Sequence, residues 1–154
     1  MHFRLLTALC AAVLTAGCGG NSPTAVTIEQ TTFAPALGVD LAASTKLASG
    51  LYYRDITPGT GAAIATGQTV GVRYTGSFAN GEVFDSNPSP KPVFSFRIGA
   101  GNVIKGWDMG VPGMKVGGRR QLIIPPELAY GPSDYGPIPG NSVLVFVVDA
   151  VSAQ

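Results

Sequence analysis

Histidine and cysteine are almost missing from this sequence. The single histidine is His2 and the two cysteines are Cys10 and Cys18, so all three lie within the first 18 residues. The rest of the chain therefore has no Ser-His-Asp or Cys-His catalytic group, no histidine general base and no histidine zinc site. Neither GxxxxGK[ST] nor GxGxxG after a strand occurs, which removes the usual cradles for nucleotide phosphates. We expect no metal and no cofactor.

Charge is also scarce, and it is balanced. Charged residues make up 12% of the chain and the formal net charge is +1, so no basic surface is expected to attract nucleic acid. The pair Arg119-Arg120 is expected at the solvated start of a strand rather than at a phosphate site. A hydrolase with two carboxylates is an open alternative, although turns and helix ends account for most of the acidic residues it would use: Glu82, Asp85, Asp108 and Asp134.

Glycine and proline are abundant, with 21 and 12 residues, and 45% of the chain is hydrophobic. This composition favours short strands joined by tight turns. Asn80-Gly81 predicts a hairpin turn, and alternating or wholly apolar runs predict strands within 50–57, 69–78, 82–86, 93–98, 119–125 and 143–151. The last run is apolar on both faces, which predicts a central strand.

One short helix is predicted between these strands. Ile104, Trp107 and Val111 recur on one face of about two helical turns, which Pro112-Gly113 end. Gly106 beside Trp107 carries no side chain that would cover the indole, which favours a cavity over a plain core at this point. We therefore expect an α+β domain, a curved antiparallel sheet wrapped over one helix.

The first residues resemble an export signal. Residues 1–17 have Arg4 before an apolar run from Leu5 to Ala16, and this run is shorter than the roughly 20 residues of a membrane-spanning helix. Leu14 to Cys18 resembles the processing box of bacterial lipoproteins. It predicts a lipid anchor at Cys18 in a bacterial cell envelope, on the periplasmic face of the outer membrane if the cell is Gram-negative. The alternative is an ordinary exported protein with a leftover cysteine.

Two further segments have few regular features. Residues 18–45 are rich in Gly, Ser, Thr, Ala and Pro without periodicity, so we expect a flexible tether before a domain of residues 46–154. The apolar piece from Phe33 to Leu41 offers the alternative of docking on the domain. The loop 125–142 is too rich in Pro and Gly for regular structure, and long ordered loops are usually functional.

Three stretches of the sequence closely resemble one known family. They are VRYTGSFANGEVFDSN, FSFRIGAGNVIKGWDMGVPGMKVGGRRQLIIPPELAYG and GPIPGNSVLVFVV, and they match the FKBP-type peptidyl-prolyl cis-trans isomerases in order over roughly Lys46 to Val151. The resemblance implies the fold of that family, a half-open twisted antiparallel sheet of five or six strands around one short helix. It also implies acceleration of X-Pro bond rotation without a covalent step.

The resemblance further implies a pocket with Trp107 as its floor. The residues it implies for catalysis are Tyr74, Phe84, Asp85, Trp107, Tyr130 and Phe146, and those for substrate binding are Phe94, Val103, Ile104, Tyr135 and Ile138. The Ile104 N–H and the Tyr130 hydroxyl would anchor substrate carbonyls. The implied ligands are proline-containing peptides, unfolded exported proteins and tacrolimus- or rapamycin-like macrolides.

The sequence departs from the best-known members of this family at two positions. Tyr135 stands near the position of their histidine, and Pro90 aligns with the arginine that pairs with the pocket aspartate, so the partner of Asp85 is open. This departure supports an alternative function, a tethered module that binds proline-containing peptides without turnover. The long helical arm of dimeric members has no counterpart here, so we expect a monomer.

Overall fold

The computed structural model of the chain describes residues 26–154. Within this range, one α-helix and seven strands are formed. They are β1 Thr45–Lys46, β2 Tyr52–Thr57, β3 Thr69–Phe78, β4 Val83–Ser86, β5 Phe94–Arg97, α1 Lys105–Gly110, β6 Arg119–Ile124 and β7 Leu144–Ala153. Short 3-10 turns cover Ile28–Gln30, Pro35–Leu37 and Pro126–Leu128. No helix of the described part has the length and apolar character needed to cross a bilayer.

All strand pairs are antiparallel, in the order β1-β2-β6-β7-β3-β4, and β5 pairs with β3 next to β4. The expected antiparallel sheet over one helix is confirmed. The sheet has seven strands instead of five or six, because Thr45–Lys46 adds a short edge strand and because β4 and β5 pair with successive halves of β3. The Pro-rich segment 87–93 interrupts what would otherwise be one edge strand.

The hairpin between β3 and β4 forms where Asn80-Gly81 predicts it. The Phe78 N–H donates to the Glu82 carbonyl at 2.8 Å, and Gly81 adopts a φ of +91°, which favours glycine. Asn80 Oδ1 accepts from the Glu82 N–H at 2.9 Å and stabilises the turn. The turn brings β4, with Phe84 and Asp85, alongside β3.

The last strand is central, as its apolar pattern predicts. β7 lies between β6 and β3, and both of its faces are buried. Leu144, Phe146 and Val148 join the main core with Trp107 of α1, whereas Val145 on the opposite face joins a second, smaller cluster. Because side chains alternate along a strand, one apolar run serves two separate hydrophobic layers.

The second layer is covered by the segment before β1, which we name the N-terminal strap (residues 26–44). Tyr52, Ile123 and Val145 lie side by side on neighbouring strands β2, β6 and β7. Ile28 of the strap is only 1% exposed on this row, and four more apolar residues of the strap pack beside it: Phe33, Leu37, Val39 and Leu41. The strap thus completes the hydrophobic layer on the convex face of the sheet.

Three hydrogen bonds to backbone carbonyls also attach the strap, and the Tyr52 hydroxyl donates to Glu29 Oε1 at 2.7 Å. The Ala34 N–H donates to the Ala79 carbonyl at 2.8 Å, Gln121 Nε2 to the Leu37 carbonyl at 2.8 Å, and Arg54 Nη2 to the Gly38 carbonyl at 2.7 Å. An ion pair between Glu29 and Lys46 adds to these, and the hydrogen bond from Lys46 lowers the pKa of Glu29 to about 2. Both partners are solvent-exposed, so this ion pair contributes little to stability compared with the apolar packing.

The structure therefore differs from the expected tether over residues 26–45. The alternative, docking of the piece from Phe33 to Leu41, is the arrangement observed, and the folded unit begins by residue 26 rather than at 46. The apolar residues of the strap have no helical or strand period because 3-10 turns and extended pieces present them to the sheet. The signal at 1–17, Cys18 and the remaining tether lie outside the described residues and stay predictions.

Replacing Ile28 separates a docked strap from a free tether. We expect Ile28→Ala to lower the free energy of unfolding by about 2–4 kcal/mol, because a buried aliphatic side chain is truncated. The control Val26→Ala removes a side chain that is 43% exposed and should change stability by less than about 0.5 kcal/mol. Urea unfolding of the two variants measures both values, and equal stabilities would contradict the docked strap.

Candidate active site

A cavity of about 210 Å³, lined largely by aromatic and aliphatic residues, opens between α1 and the concave face of the sheet. Its lining combines most of the expected site residues with one that was not expected: Tyr74, Phe84, Asp85, Phe94, Asn102, Val103, Ile104, Trp107, Tyr130 and Phe146. Trp107 is 4% exposed and lines the cavity from the helix side. Neighbouring side chains therefore cover most of the indole, and it contributes to the cavity lining with the small part that they leave uncovered.

Two glycines of α1 determine how closely the helix approaches the sheet. A Cβ at Gly106 would lie 2.5 Å from Cγ2 of Ile124, and one at Gly110 would lie 2.7 Å from Cδ2 of Leu122. Residues four apart share a helix face, so both glycines face β6. Gly106 was expected to leave the indole of Trp107 uncovered because it has no side chain. That interpretation was wrong, since this glycine faces β6 rather than the cavity and allows the helix to lie close to the strand.

Arg120 holds the C-terminal end of α1. Its Nη1 donates to the carbonyls of Gly110 and Pro112 at 2.9 and 3.1 Å, and its Nε and Nη2 form a bidentate pair with Asp55 at 2.6 and 2.9 Å. The side chain is buried, and its guanidinium lies 4.4 Å from the ring centre of Tyr53. The expected solvated position holds for Arg119, which is exposed, but was wrong for Arg120. A cation at helix-end carbonyls is favourable, so this contact fixes the end of the helix that carries Trp107.

Aromatic edges surround the indole. Tyr74 lies 5.1 Å and Phe146 5.3 Å from Trp107 between ring centres, at interplanar angles of 83° and 89°. Such edge-to-face contacts are preferred over flat stacking and hold the rings in defined positions. Phe84 contacts Phe146 in the same manner at 5.5 Å. A Cβ at Gly76 would lie 2.6 Å from Phe146 Cε1 and 2.8 Å from Phe84 Cζ, so this glycine makes room for both rings.

The partner of Asp85 is a tyrosine. The Tyr74 hydroxyl donates to Asp85 Oδ2 at 2.7 Å, and no ion pair to Asp85 is formed within residues 26–154. Burial, and secondly the hydrogen bond to the Asp85 carboxylate, raise the pKa of Tyr74 well above its usual value. The phenol therefore stays protonated and keeps the carboxylate at the cavity wall.

Three donors at the cavity have no acceptor among residues 26–154. They are the N–H of Ile104 just before α1, the hydroxyl of Tyr130 and the buried Nε1 of Trp107. Burial raises the pKa of Tyr130, so its hydroxyl also stays protonated. Donors that lack an acceptor at an apolar cavity are suited to hold the carbonyl groups of a bound peptide.

Two expected residues do not line the cavity. Tyr135 is 62% exposed and stacks on the outer side of Tyr130 with 4.6 Å between ring centres, while Ile138 is 5% exposed and lies in the main core. The Tyr135 N–H donates to the Ile138 carbonyl, so a tight turn sends these side chains to opposite sides. Asn102 was missed because an exposed polar residue in a glycine-rich loop has no pattern of its own. Its position immediately before Val103 is the only signal.

A half-open antiparallel sheet with one short helix and an aromatic cavity between them is characteristic of FKBP-like domains. Residues 61–151 match the family described as FKBP-type peptidyl-prolyl cis-trans isomerase, and the chain belongs to this family. FK506-binding protein 4 of Rhizopus delemar is 55% identical over 71% of this chain and 29% of its own length. The crystal structure of FkpA from Escherichia coli is similar with a TM-score of 0.67 and 38% identity, covering 73% of this chain and 52% of that one.

The chain spans less than a third of the length of the curated relatives it matches, with 29%, 29% and 26% covered in three of them.

These relatives also contradict the expected location. They come from fungi, and a further relative at 51% identity comes from Dictyostelium discoideum. These relatives are eukaryotic, so the bacterial cell envelope was wrong as a location. The expectation depended on residues 1–18, which lie outside the described residues.

The seating of α1 on β6 can be tested at Gly106. In an ordinary helix, Gly→Ala stabilises by about 1 kcal/mol. Here we expect Gly106→Ala to lower the free energy of unfolding by about 1–3 kcal/mol, because the added Cβ overlaps with the buried Ile124. Fluorescence of Trp107, the single tryptophan, should shift in this variant. The control is Lys105→Ala, on the exposed side of α1, in which neither the free energy of unfolding nor the fluorescence should change. A Gly106→Ala variant that is more stable than the wild type would refute the close contact.

Proposed function

We propose that this chain is a peptidyl-prolyl cis-trans isomerase and that the substrate proline ring enters the cavity above Trp107. The observation that carries the proposal is the cavity itself, about 210 Å³ with aromatic rings 5.1–5.3 Å from the indole. Pockets for drug-sized ligands measure roughly 300–1,000 Å³, so this one suits a single ring. A macrolide would insert only a part of its structure here. The proposal includes a monomer as the acting form.

The reaction is a bond rotation that needs no nucleophile. The barrier to turning an X-Pro bond is near 18–20 kcal/mol because the planar amide is stabilised by resonance. The half-rotated amide has lost this resonance and has a less dipolar carbonyl. A cavity walled by aromatic rings that excludes water from the bound amide therefore binds the twisted state better than either planar state, and a binding difference of this kind is what accelerates a reaction.

The donors without an acceptor give the substrate its orientation. The Ile104 N–H and the Tyr130 hydroxyl are proposed to hold the carbonyls on the two sides of the proline, so that one part of the peptide is fixed while the other turns. Asp85, which accepts a hydrogen bond from Tyr74 at 2.7 Å, is proposed to contact the rotating carbonyl or the nitrogen. The rings of Phe84, Phe94 and Phe146 exclude water from the bond, and Val103 contributes to the same wall.

The size of the required effect is compatible with these groups. An acceleration of about five powers of ten corresponds to about 7 kcal/mol of selective binding. Burial of the proline ring itself does not count, because planar and twisted forms bury it equally. The selective part must come from the apolar surroundings of the carbonyl and from hydrogen bonds that strengthen on twisting, at about 0.5–1.5 kcal/mol each.

The proposal is tested by following proline isomerisation in a short peptide with the purified chain. We expect acceleration over buffer, and about a tenfold lower kcat/KM in Tyr130→Phe, because one hydrogen bond to the substrate is lost. Tyr135→Phe is the matched control and should stay within about twofold, since Tyr135 is 62% exposed and lies outside the cavity. Peptide binding without acceleration would instead favour a binding module.

The activity is expected to be independent of pH from about 6 to 9. The chain has no histidine outside position 2, and burial raises the pKa values of Tyr74 and Tyr130. Because a phenol is protonated below its pKa, both hydroxyls remain donors throughout this window and are lost only above it. A pH–rate profile of kcat/KM measures this. A midpoint between pH 6 and 8 would indicate an acid or base that the proposal lacks.

A further inference from the structure

A second cavity lies beside the proposed active site and is larger, about 480 Å³. It is enclosed by the tip of the β3–β4 hairpin, the loop before β7 and the N-terminal strap. Six of its ten lining residues are apolar and four are polar or charged: Val26, Thr31, Phe78, Ala79, Asn80, Glu82, Pro137, Pro139, Ser142 and Val143. Its volume falls within the range of about 300–1,000 Å³ that is typical of ligand sites.

The two cavities share a wall. Phe78 lines the second cavity and Phe84 lines the first, and their ring centres are only 5.0 Å apart. The loop that contributes Tyr130 to the first cavity contributes Pro137 and Pro139 to the second. The two linings thus meet at adjacent rings, and a peptide bound in the first cavity can continue into the second.

Both cavities carry a single charged residue, and in each case it is acidic. Asp85 is the charged group of the first lining and Glu82 that of the second. Neither forms an ion pair within residues 26–154. The basic groups next to β4 are directed to backbone oxygens: Lys91 Nζ donates to the Ser86 carbonyl at 3.0 Å, and Arg73 Nη1 to the Lys91 carbonyl at 2.9 Å. The two carboxylates therefore favour a cationic ligand.

We infer that the second cavity is a subsite for the part of the polypeptide substrate that flanks the X-Pro bond, and that it selects an apolar segment carrying a lysine or arginine. The inference rests on the proposed isomerase function, since the proline must occupy the first cavity. Continuity of the two linings identifies the occupant as the same chain. The acidic residues then determine which flanking sequences bind best.

The test compares peptides that share one central X-Pro unit. A tetrapeptide is compared with ten-residue peptides that carry six additional residues, chosen from Leu, Val and Lys, at either the N-terminal or the C-terminal end. In a matched set of extended peptides, Glu replaces Lys. We expect one lysine-containing extension to raise kcat/KM about three- to tenfold over the tetrapeptide, mainly through KM, because binding of the flank adds affinity without altering the twisted bond. The advantage of Lys over Glu should decrease with added salt.

Two variants of the full chain assign the effect to the second cavity. Glu82→Gln removes the charge and should remove most of the preference for Lys over Glu. Ala79→Phe fills the space and should abolish the gain from extension. Both should isomerise the tetrapeptide at the wild-type rate, since neither residue lines the first cavity. Glu127→Gln is the matched control, an exposed glutamate outside both linings, and should keep the full preference.

The outcomes separate this inference from the function on which it depends. If the tetrapeptide is not isomerised, the proposed function fails. If the tetrapeptide is isomerised but no extension raises kcat/KM, the second cavity is not a subsite, whether it stays empty or is filled by another part of this chain. A gain that persists unchanged in both Glu82→Gln and Ala79→Phe would also overturn the inference, because the flank would then bind elsewhere.

Discussion

The arrangement of the site depends on the close contact between α1 and β6. Gly106 and Gly110 carry no Cβ where one would lie 2.5–2.7 Å from side chains of Ile124 and Leu122, so the helix lies directly on the strand. Arg120 stabilises the C-terminal end of the helix by donating hydrogen bonds to the carbonyls of Gly110 and Pro112. A six-residue helix is not stable alone, and here tertiary contacts replace helical propensity. The depth of Trp107, and with it the cavity volume, follows from this contact.

The sheet supports that contact from behind. Strands β6 and β7 are buried on both faces, because the main core covers one face and the N-terminal strap covers the other. A strand packed on two sides has little freedom to bend or slide, which keeps Ile124, Leu122 and Phe146 in fixed positions. Catalysis by selective binding requires such rigidity, since walls that adapted to the planar amide would lose the difference between planar and twisted states. The strap therefore supports the sheet behind the first cavity although none of its residues lines that cavity.

The sequence predicts those parts of the structure that are governed by local patterns. Alternating residues give the strands, Asn80-Gly81 gives the hairpin, and Trp107 with Val111 gives the buried helix face, because each needs only neighbouring residues. The strap was mispredicted because its apolar residues follow no period and are ordered only by the sheet they cover. Gly106 was misinterpreted and Arg120 was misplaced because their contacts, with Ile124 and with Asp55, come from distant strands. Most cavity residues could be assigned through family resemblance, but Tyr135 and Ile138 could not, since the turn of their loop determines which way each faces.

A site that uses neither a histidine nor a covalent nucleophile has few ways to discriminate between substrates. In the proposed binding mode the central cavity holds one ring and contacts the amide through an N–H, a hydroxyl and one carboxylate, and every X-Pro unit presents nearly the same atoms to these groups. Selectivity must therefore come from surfaces that contact the flanking residues. The hairpin tip and the loop before β7 provide those surfaces, and both are connections whose side chains can vary without disturbing the contact between α1 and β6. Chemistry and selectivity are thus assigned to different parts of the fold, the first to packed strands and helix and the second to turns.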